Sequence, residues 1–173
     1  MSPDERRRWL LSTWRYAVPT LVSAALVLVM LAPLPLPVPA MPQLGLMAVL
    51  AWAMLQPALM PPWAAFFIGA LADMLLGMPL GLNATLFALA TGAMRLIDAG
   101  TGERGHGFDW AVAGVMLLAV LLLTGPLMAL AGQPVPMAPL LWQLPASLLM
   151  WPLVVRFCAD VQRRLVASAN AMA

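Results

Sequence analysis

The stretch that decides the fold reads Phe67-Ile68-Gly69-Ala70-Leu71-Ala72-Asp73-Met74-Leu75-Leu76-Gly77-Met78-Pro79-Leu80-Gly81-Leu82-Asn83. Within it, Asp73 is the only charged residue between Arg15 and Arg95. An ionisable side chain in so apolar a region is costly unless it has a partner. The stretch therefore indicates two helices joined by a tight turn, in which one buried carboxyl group has a structural or functional role.

The composition of the whole chain indicates which solvent surrounds this stretch. Of its 173 residues, 63% are hydrophobic and 9% are charged, with a mean hydropathy of +0.91. A soluble domain carries about 25% charged residues. The apolar runs are continuous, which favours helices over the alternating strands of a membrane barrel. We therefore predict an all-α integral membrane protein with the lipid bilayer as its surroundings.

The apolar runs are separated by clusters of proline and glycine, which punctuate local structure. A membrane-spanning helix needs about 20 residues. Together these features predict one polytopic membrane domain over residues 1–173, with six transmembrane helices at about 16–36, 43–60, 62–78, 82–97, 110–132 and 139–158.

The basic residues predict the orientation of these helices. All nine are arginines, and they flank the apolar runs instead of lining one face, which argues against nucleic acid as a partner. With a cytoplasmic N-terminus and six spans, every arginine falls on the cytoplasmic side, as the positive-inside rule requires. These topology anchors are Arg6, Arg7, Arg8, Arg15, Arg95, Arg104, Arg156, Arg163 and Arg164. We expect both termini in the cytoplasm, and Trp63 and Trp110 at the cytoplasmic interface of the membrane.

The spacing within the deciding stretch predicts a tight hairpin between the third and fourth helices. Gly69, Asp73 and Gly77 recur every four residues and so share one helix face, where small residues let another backbone approach. Pro79 and Gly81 suit the turn that follows. The side chain of Asn83 is expected to cap the fourth helix.

Two interpretations of Asp73 are open. In the first, its carboxyl group fixes packing by accepting hydrogen bonds from a neighbouring helix, from Asn83, Thr85 or Thr124. In the second, it is a proton or ligand site. A relay needs more than one polar group inside the membrane, which favours the first interpretation. We accordingly expect Asp73→Asn to keep most function and Asp73→Leu to lose assembly.

The chain shows little that indicates catalysis or metal binding. A single cysteine, Cys158, excludes an intrachain disulfide and a cysteine-based metal site. Ser147 and Thr124 have no neighbouring base in the sequence, and His106 has no second histidine at ligand spacing. We predict a protein that is not an enzyme and has no cofactor or metal.

The deciding stretch, led by Pro61-Pro62-Trp63, resembles the MreD family of rod shape-determining membrane proteins. The motif covers roughly residues 57–90, and the number of helices agrees over the whole chain. The resemblance implies a non-enzymatic scaffold in the bacterial inner membrane, part of the cell-elongation machinery for peptidoglycan. It also implies binding to MreC, and coupling of MreB filaments to RodA and a class B penicillin-binding transpeptidase. The family's helical arrangement is similar to the substrate-binding subunits of energy-coupling-factor vitamin transporters.

That similarity supplies an alternative function, a small-molecule binding subunit of a membrane transporter. Such a site needs polar groups that converge on a pocket. The candidates are Asp73, Asn83, Thr85, Thr91, Gln133 and Gln143. They are few and spread over several helices, so we favour the scaffold.

Overall fold

The structure is a computed structural model that describes residues 17–32, 41–100 and 106–170, and within these ranges it contains six helices and no strand. The helices are α1 (Ala17–Val29), α2 (Leu44–Leu55), α3 (Pro62–Leu76), α4 (Leu82–Gly100), α5 (His106–Leu130) and α6 (Met137–Asn170). The predicted all-α fold is confirmed.

Several helix ends differ from the predicted ones, for local reasons. α2 ends at Leu55 instead of residue 60, because the residue before Pro57 cannot easily remain helical and Gln56 has a φ of −148°. α3 ends at Leu76 because Gly77 turns left-handed. α5 begins four residues earlier than predicted, and α6 continues as a helix beyond residue 158. The predicted end of α1, at residues 33–36, lies outside the described residues.

α2 forms the centre of the core. All residues from Gly45 to Ala53 are buried, as expected for a helix that is apolar on every side. It contacts α3, α4, α5 and α6. Ile68, Phe87 and Trp151 from three of these helices belong to the same buried cluster. The other helices are therefore arranged around α2.

The helices alternate in direction. Thr20 near the start of α1, Trp63 at the start of α3 and Arg95 near the end of α4 line one cavity. Arg95 also donates a hydrogen bond to the carbonyl oxygen of Pro57, just after the end of α2. At the same end of the bundle, the start of α5 approaches α2 and α6. This arrangement places Arg95 near the α2–α3 connection.

The outer surface of the bundle is apolar. Leu130 is 87% exposed and Leu149 is 78% exposed, and Leu89 and Trp142 are exposed on other helices. Two helical segments, Gly107–Leu130 and Ala138–Arg164, are long and apolar enough to cross a membrane. Three shorter helices, α1, α2 and α3, are also apolar. These features support association with a membrane.

Candidate packing site at the α3–α4 hairpin

The hairpin between α3 and α4 is the most extensive helix pairing in the described structure. Its turn starts where Gly77 adopts a left-handed φ of 66°. The backbone N–H groups of Gly77 and Met78 both donate to the carbonyl oxygen of Asp73, the latter over 3.0 Å. This is a standard way to satisfy the free carbonyl groups at a helix end. The backbone of Asp73 thus terminates α3.

The side chain of Asp73 reaches forward to start α4. Its Oδ2 accepts hydrogen bonds from the backbone N–H groups of Gly81 at 2.9 Å and Ala84 at 3.3 Å. Its Oδ1 accepts one from the N–H of Asn83 at 2.9 Å. The first N–H groups of a helix have no partner within the helix, and that end of a helix favours a negative group. Asp73 is fully buried and serves as the cap of the next helix.

This geometry confirms one of the partners expected from the sequence and corrects two. Asn83 does donate to Asp73, through its backbone N–H group, whereas Thr85 and Thr124 do not. The hydroxyl of Thr85 donates to the carbonyl of Gly81 at 2.7 Å, and that of Thr124 to Val120 at 2.8 Å. The expected capping role of the Asn83 side chain is taken by Asp73, because Asn83 lies one residue inside α4. The turn brings the start of α4 close enough for the carboxylate to reach it.

At Gly69 the backbone of α3 lies close against the backbone of α4. A Cβ atom added to Gly69 would lie 2.4 Å from the carbonyl oxygen of Asn83 and 2.6 Å from the Cα of Ala84. Both are backbone atoms of α4, so they cannot move aside as a flexible side chain could. The close approach that small residues permit is therefore present at this position.

The other glycines of the motif have a different role. Gly77 and Gly81 have φ angles of 66° and 98°, and a Cβ on either would meet no atom within 4 Å. Gly77 was expected to contribute to a close-packed helix face, and the structure corrects this expectation. Position 77 requires glycine because its φ is left-handed, and left-handed φ values are unfavourable for most other residues. Pro79 lies in the same turn, where its carbonyl accepts the N–H of Leu82 at 3.1 Å.

Some of the candidate ligand-binding residues meet at a small cavity that residues of all six described helices line. Asn83 and Gln143 line it, together with Gln43 and Thr124. Its volume is about 70 Å³. Pockets for small molecules typically have about 300–1,000 Å³. The cavity therefore has no room for a vitamin-sized ligand in this conformation.

The remaining candidates do not converge on that cavity. The carboxylate of Asp73 is used by the start of α4. The hydroxyl groups of Thr85 and Thr91 donate to carbonyls of their own helical turns. Gln133 is exposed in the α5–α6 connection. Within the described residues, a shared polar site is thus limited to the two side chains of Asn83 and Gln143 and their neighbours.

The described arginines have separate environments. Arg95 donates to the carbonyl of Pro57, and Arg163 pairs with Asp160 one helical turn earlier. Arg156 and Arg164 are exposed on α6. The other predicted anchors, Arg6, Arg7, Arg8, Arg15 and Arg104, lie outside the described residues.

One structural residue was not recognised as such in the sequence. The Oγ of Ser147, buried in α6, accepts a hydrogen bond from the backbone N–H of Gln43 at 3.1 Å. This contact holds the start of α2 against the middle of α6. Cys158 is buried in the hydrophobic core. The described part of the chain contains no group of three His, Cys, Asp or Glu side chains that could hold a metal ion.

No protein-family model, curated protein or solved structure matches the chain. The motif from Gly69 to Asn83 and its geometry in the hairpin are therefore described from the chain's own residues alone. They describe a rigid structural unit whose polar atoms are largely used within the unit itself.

Proposed function

We propose that this chain is a six-span protein of the bacterial cytoplasmic membrane with both termini in the cytoplasm. The apolar outer surface and the alternating helix directions support this topology. Arg95 lies at the end of the bundle where α1 and α3 begin, and Arg156 lies at the groove where α5 begins. An arrangement with both on one side agrees with the positive-inside rule.

The lengths of the helices are compatible with this proposal. α6 has 34 residues and is about 50 Å long, which exceeds the roughly 30 Å thickness of the hydrocarbon core. α2 has only 12 residues, about 18 Å. Because α2 is enclosed by other helices, its non-helical ends are screened from lipid by protein, where such backbone is tolerated.

Within the membrane, we propose that the protein is a non-enzymatic scaffold of the rod-shape and cell-elongation complex. In this role it binds MreC and links MreB filaments, indirectly, to RodA and a class B penicillin-binding transpeptidase. The observation that supports it best is the hairpin built by Gly69 and Asp73. The motif that resembles the MreD family serves helix packing here, and its carboxylate is occupied by backbone groups. A pre-formed rigid hairpin suits a protein that acts through its helix faces.

The transporter alternative is less well supported. It rests on the predicted polar residues converging on a ligand cavity, and the cavity that Asn83 and Gln143 share has only about 70 Å³. We therefore place the scaffold first.

The test is co-purification of the tagged chain from its own host in a mild detergent, with mass spectrometry of the recovered proteins. The scaffold predicts recovery of an MreC-like protein, a RodA-like glycosyltransferase and a transpeptidase. Recovery of a membrane coupling subunit with paired ATPases would overturn the proposal and favour the transporter.

Two glycine variants sharpen the test. Gly69→Leu forces α3 and α4 apart and is expected to reduce partner recovery. The control is Gly92→Ala, in α4. A Cβ added at Gly92 would meet no atom within 4 Å, so this variant should leave recovery unchanged. Equal recovery of partners with both variants would show that the close packing of α3 and α4 is not needed for partner binding.

A further inference from the structure

A groove of about 590 Å³ lies between α2, α5 and α6, at the end of the bundle where α5 begins. Its volume is within the range of about 300–1,000 Å³ that small-molecule sites occupy. Most of its wall is apolar, with Met54 and Leu55 from α2 and Trp151 from α6. The groove is distinct from the hairpin and from the small cavity near Asn83.

Two opposite charges line this groove. Asp109 lies in the first turn of α5, and Arg156 lies on α6. The structure gives neither side chain an ion pair or a side-chain hydrogen bond within the described residues. Arg163 and Asp160 on the same helix, by contrast, do pair with each other. Asp109 and Arg156 are therefore both available to a ligand that carries two charges.

A tryptophan stands beside these charges. Trp110 lines the groove and is 49% exposed. Tryptophan is enriched at the level of lipid headgroups, where its ring is in apolar surroundings and its N–H is near polar groups. The groove thus combines an apolar wall, an interfacial aromatic ring and one charge of each sign.

We propose that this groove binds one phospholipid whose headgroup carries a phosphate and a primary ammonium group, as in phosphatidylethanolamine. Arg156 contacts the phosphate, Asp109 accepts hydrogen bonds from the ammonium, and an acyl chain lies along Met54, Leu55 and Trp151. The inference rests on the membrane embedding proposed above, but not on the identity of the protein partners. Basic pockets between helices at the cytoplasmic face are known to recognise lipid headgroups.

The charges select this lipid over the two most informative alternatives. Phosphatidylglycerol offers the same phosphate to Arg156, but its headgroup has a neutral glycerol and so no cation to pair with Asp109. A choline headgroup has a quaternary ammonium with no N–H, so it cannot donate to the carboxylate. Only a primary ammonium matches Asp109 while the phosphate matches Arg156.

The experiment is native mass spectrometry of the purified full chain after exchange into equal mixtures of phosphatidylethanolamine, phosphatidylcholine and phosphatidylglycerol. We expect phosphatidylethanolamine to be retained about fivefold over the other two, the size of an exposed charge contact. Asp109→Asn should abolish this preference, and Arg156→Gln should reduce retention of all three lipids. Asp160→Asn and Arg163→Gln are matched controls outside the groove, and they should behave as the unaltered protein.

A charge reversal keeps the test informative if the first variants are unstable. Asp109→Arg places two cations at the groove and should shift the preference to phosphatidylglycerol, a gain that misfolding does not imitate. Retention in Asp109→Asn that equals the Asp160→Asn control, or no shift in Asp109→Arg, would overturn the proposal. Because the readout is bound lipid, it is independent of partner recovery. Recovery of the chain in the soluble fraction would instead refute membrane embedding.

Discussion

The Oδ1 atom of Asp73 lies 2.9 Å from the backbone nitrogen of Asn83, ten residues later in the chain. A residue near the end of α3 therefore supplies the cap that α4 would otherwise need from its own N-terminus. Because the carbonyl of Asp73 also accepts the N–H groups that close α3, one residue ends one helix and starts the next. The hairpin is thus held by backbone groups at both ends of its turn.

The first prediction is that Asp73→Asn destabilises the protein. An amide has one acceptor oxygen, so its NH₂ group would face at least one of the three backbone N–H donors. A buried donor left without an acceptor costs about 1–3 kcal/mol. Asp73→Leu removes both oxygens and should cost more. Thermal unfolding in detergent would measure both variants, and the order of Tm should be unaltered protein, Asp73→Asn, Asp73→Leu.

The control for this series is Asp160→Asn, which changes the same chemistry at a side chain that is 56% exposed. Its ion pair with Arg163 is on the surface and is worth at most about 1 kcal/mol. The prediction differs from the tolerance for Asp73→Asn expected from the sequence. If Asp73→Asn has the same Tm as the control, the hydrogen bonds from the backbone N–H groups to Asp73 do not contribute measurably to stability.

The second prediction compares two alanine substitutions. Gly69→Ala places a methyl group against the backbone of Asn83 and Ala84, and overpacking of this kind costs about 1–3 kcal/mol. Gly92→Ala has open space around it and replaces a glycine within α4, so it should stabilise by about 0.5–1 kcal/mol. Unfolding curves of the two variants should therefore move in opposite directions. A shift of the same sign in both would contradict the close approach at Gly69.

The third prediction separates conformation from space at Gly77. A Cβ there meets no atom, so any cost of substitution arises from the φ of 66°. Gly77→Ala should cost about 1–2 kcal/mol. Gly77→Asn should cost less, because asparagine tolerates the left-handed region. If the two variants unfold at the same temperature, the left-handed conformation is not what selects glycine.

The sequence predicted the hairpin well because its signals are local. Regular spacing of Gly69, Asp73 and Gly77, followed by Pro79 and Gly81, indicates a helix, a stop and a turn without reference to the rest of the chain. The helix ends were less accurate where a single backbone angle decides them, as at Gln56 and Gly77. Asn83 was predicted as a donor to Asp73, but Gly81 and Ala84 were not, because they donate through backbone N–H groups that almost every residue carries.

Long-range contacts were the other limit of the sequence. The hydrogen bond from Gln43 to Ser147 spans 104 positions, and neither residue type indicates it. The size of the cavity at Asn83 and Gln143 also depends on how six helices pack. The positions of the candidate polar residues could be read from the sequence, but their convergence could not.

The fourth prediction concerns that long-range contact. Ser147→Ala removes the acceptor for the N–H of Gln43 and should cost about 1 kcal/mol. Thr91→Val also removes a buried hydroxyl, but that hydroxyl donates to a carbonyl of its own helix, which keeps its helical partner. The Tm of Ser147→Ala should therefore fall further than that of Thr91→Val. An equal fall would mean that loss of any buried hydroxyl, and not the α2–α6 contact, determines the effect.

The last prediction uses the single cysteine to test the proposed topology. Cys158 is buried in the core, so a membrane-impermeant maleimide should label the unaltered protein poorly. Gln133→Cys introduces a thiol at an exposed position in the α5–α6 connection, which the six-span topology places outside. Asp160→Cys introduces one on the exposed part of α6, on the cytoplasmic side. In intact spheroplasts, the first variant should be labelled and the second only after the membrane is permeabilised. Labelling of Asp160→Cys without permeabilisation would show that the final span is inverted or absent. The cytoplasmic assignment of Arg156, Arg163 and Arg164 would then also be wrong.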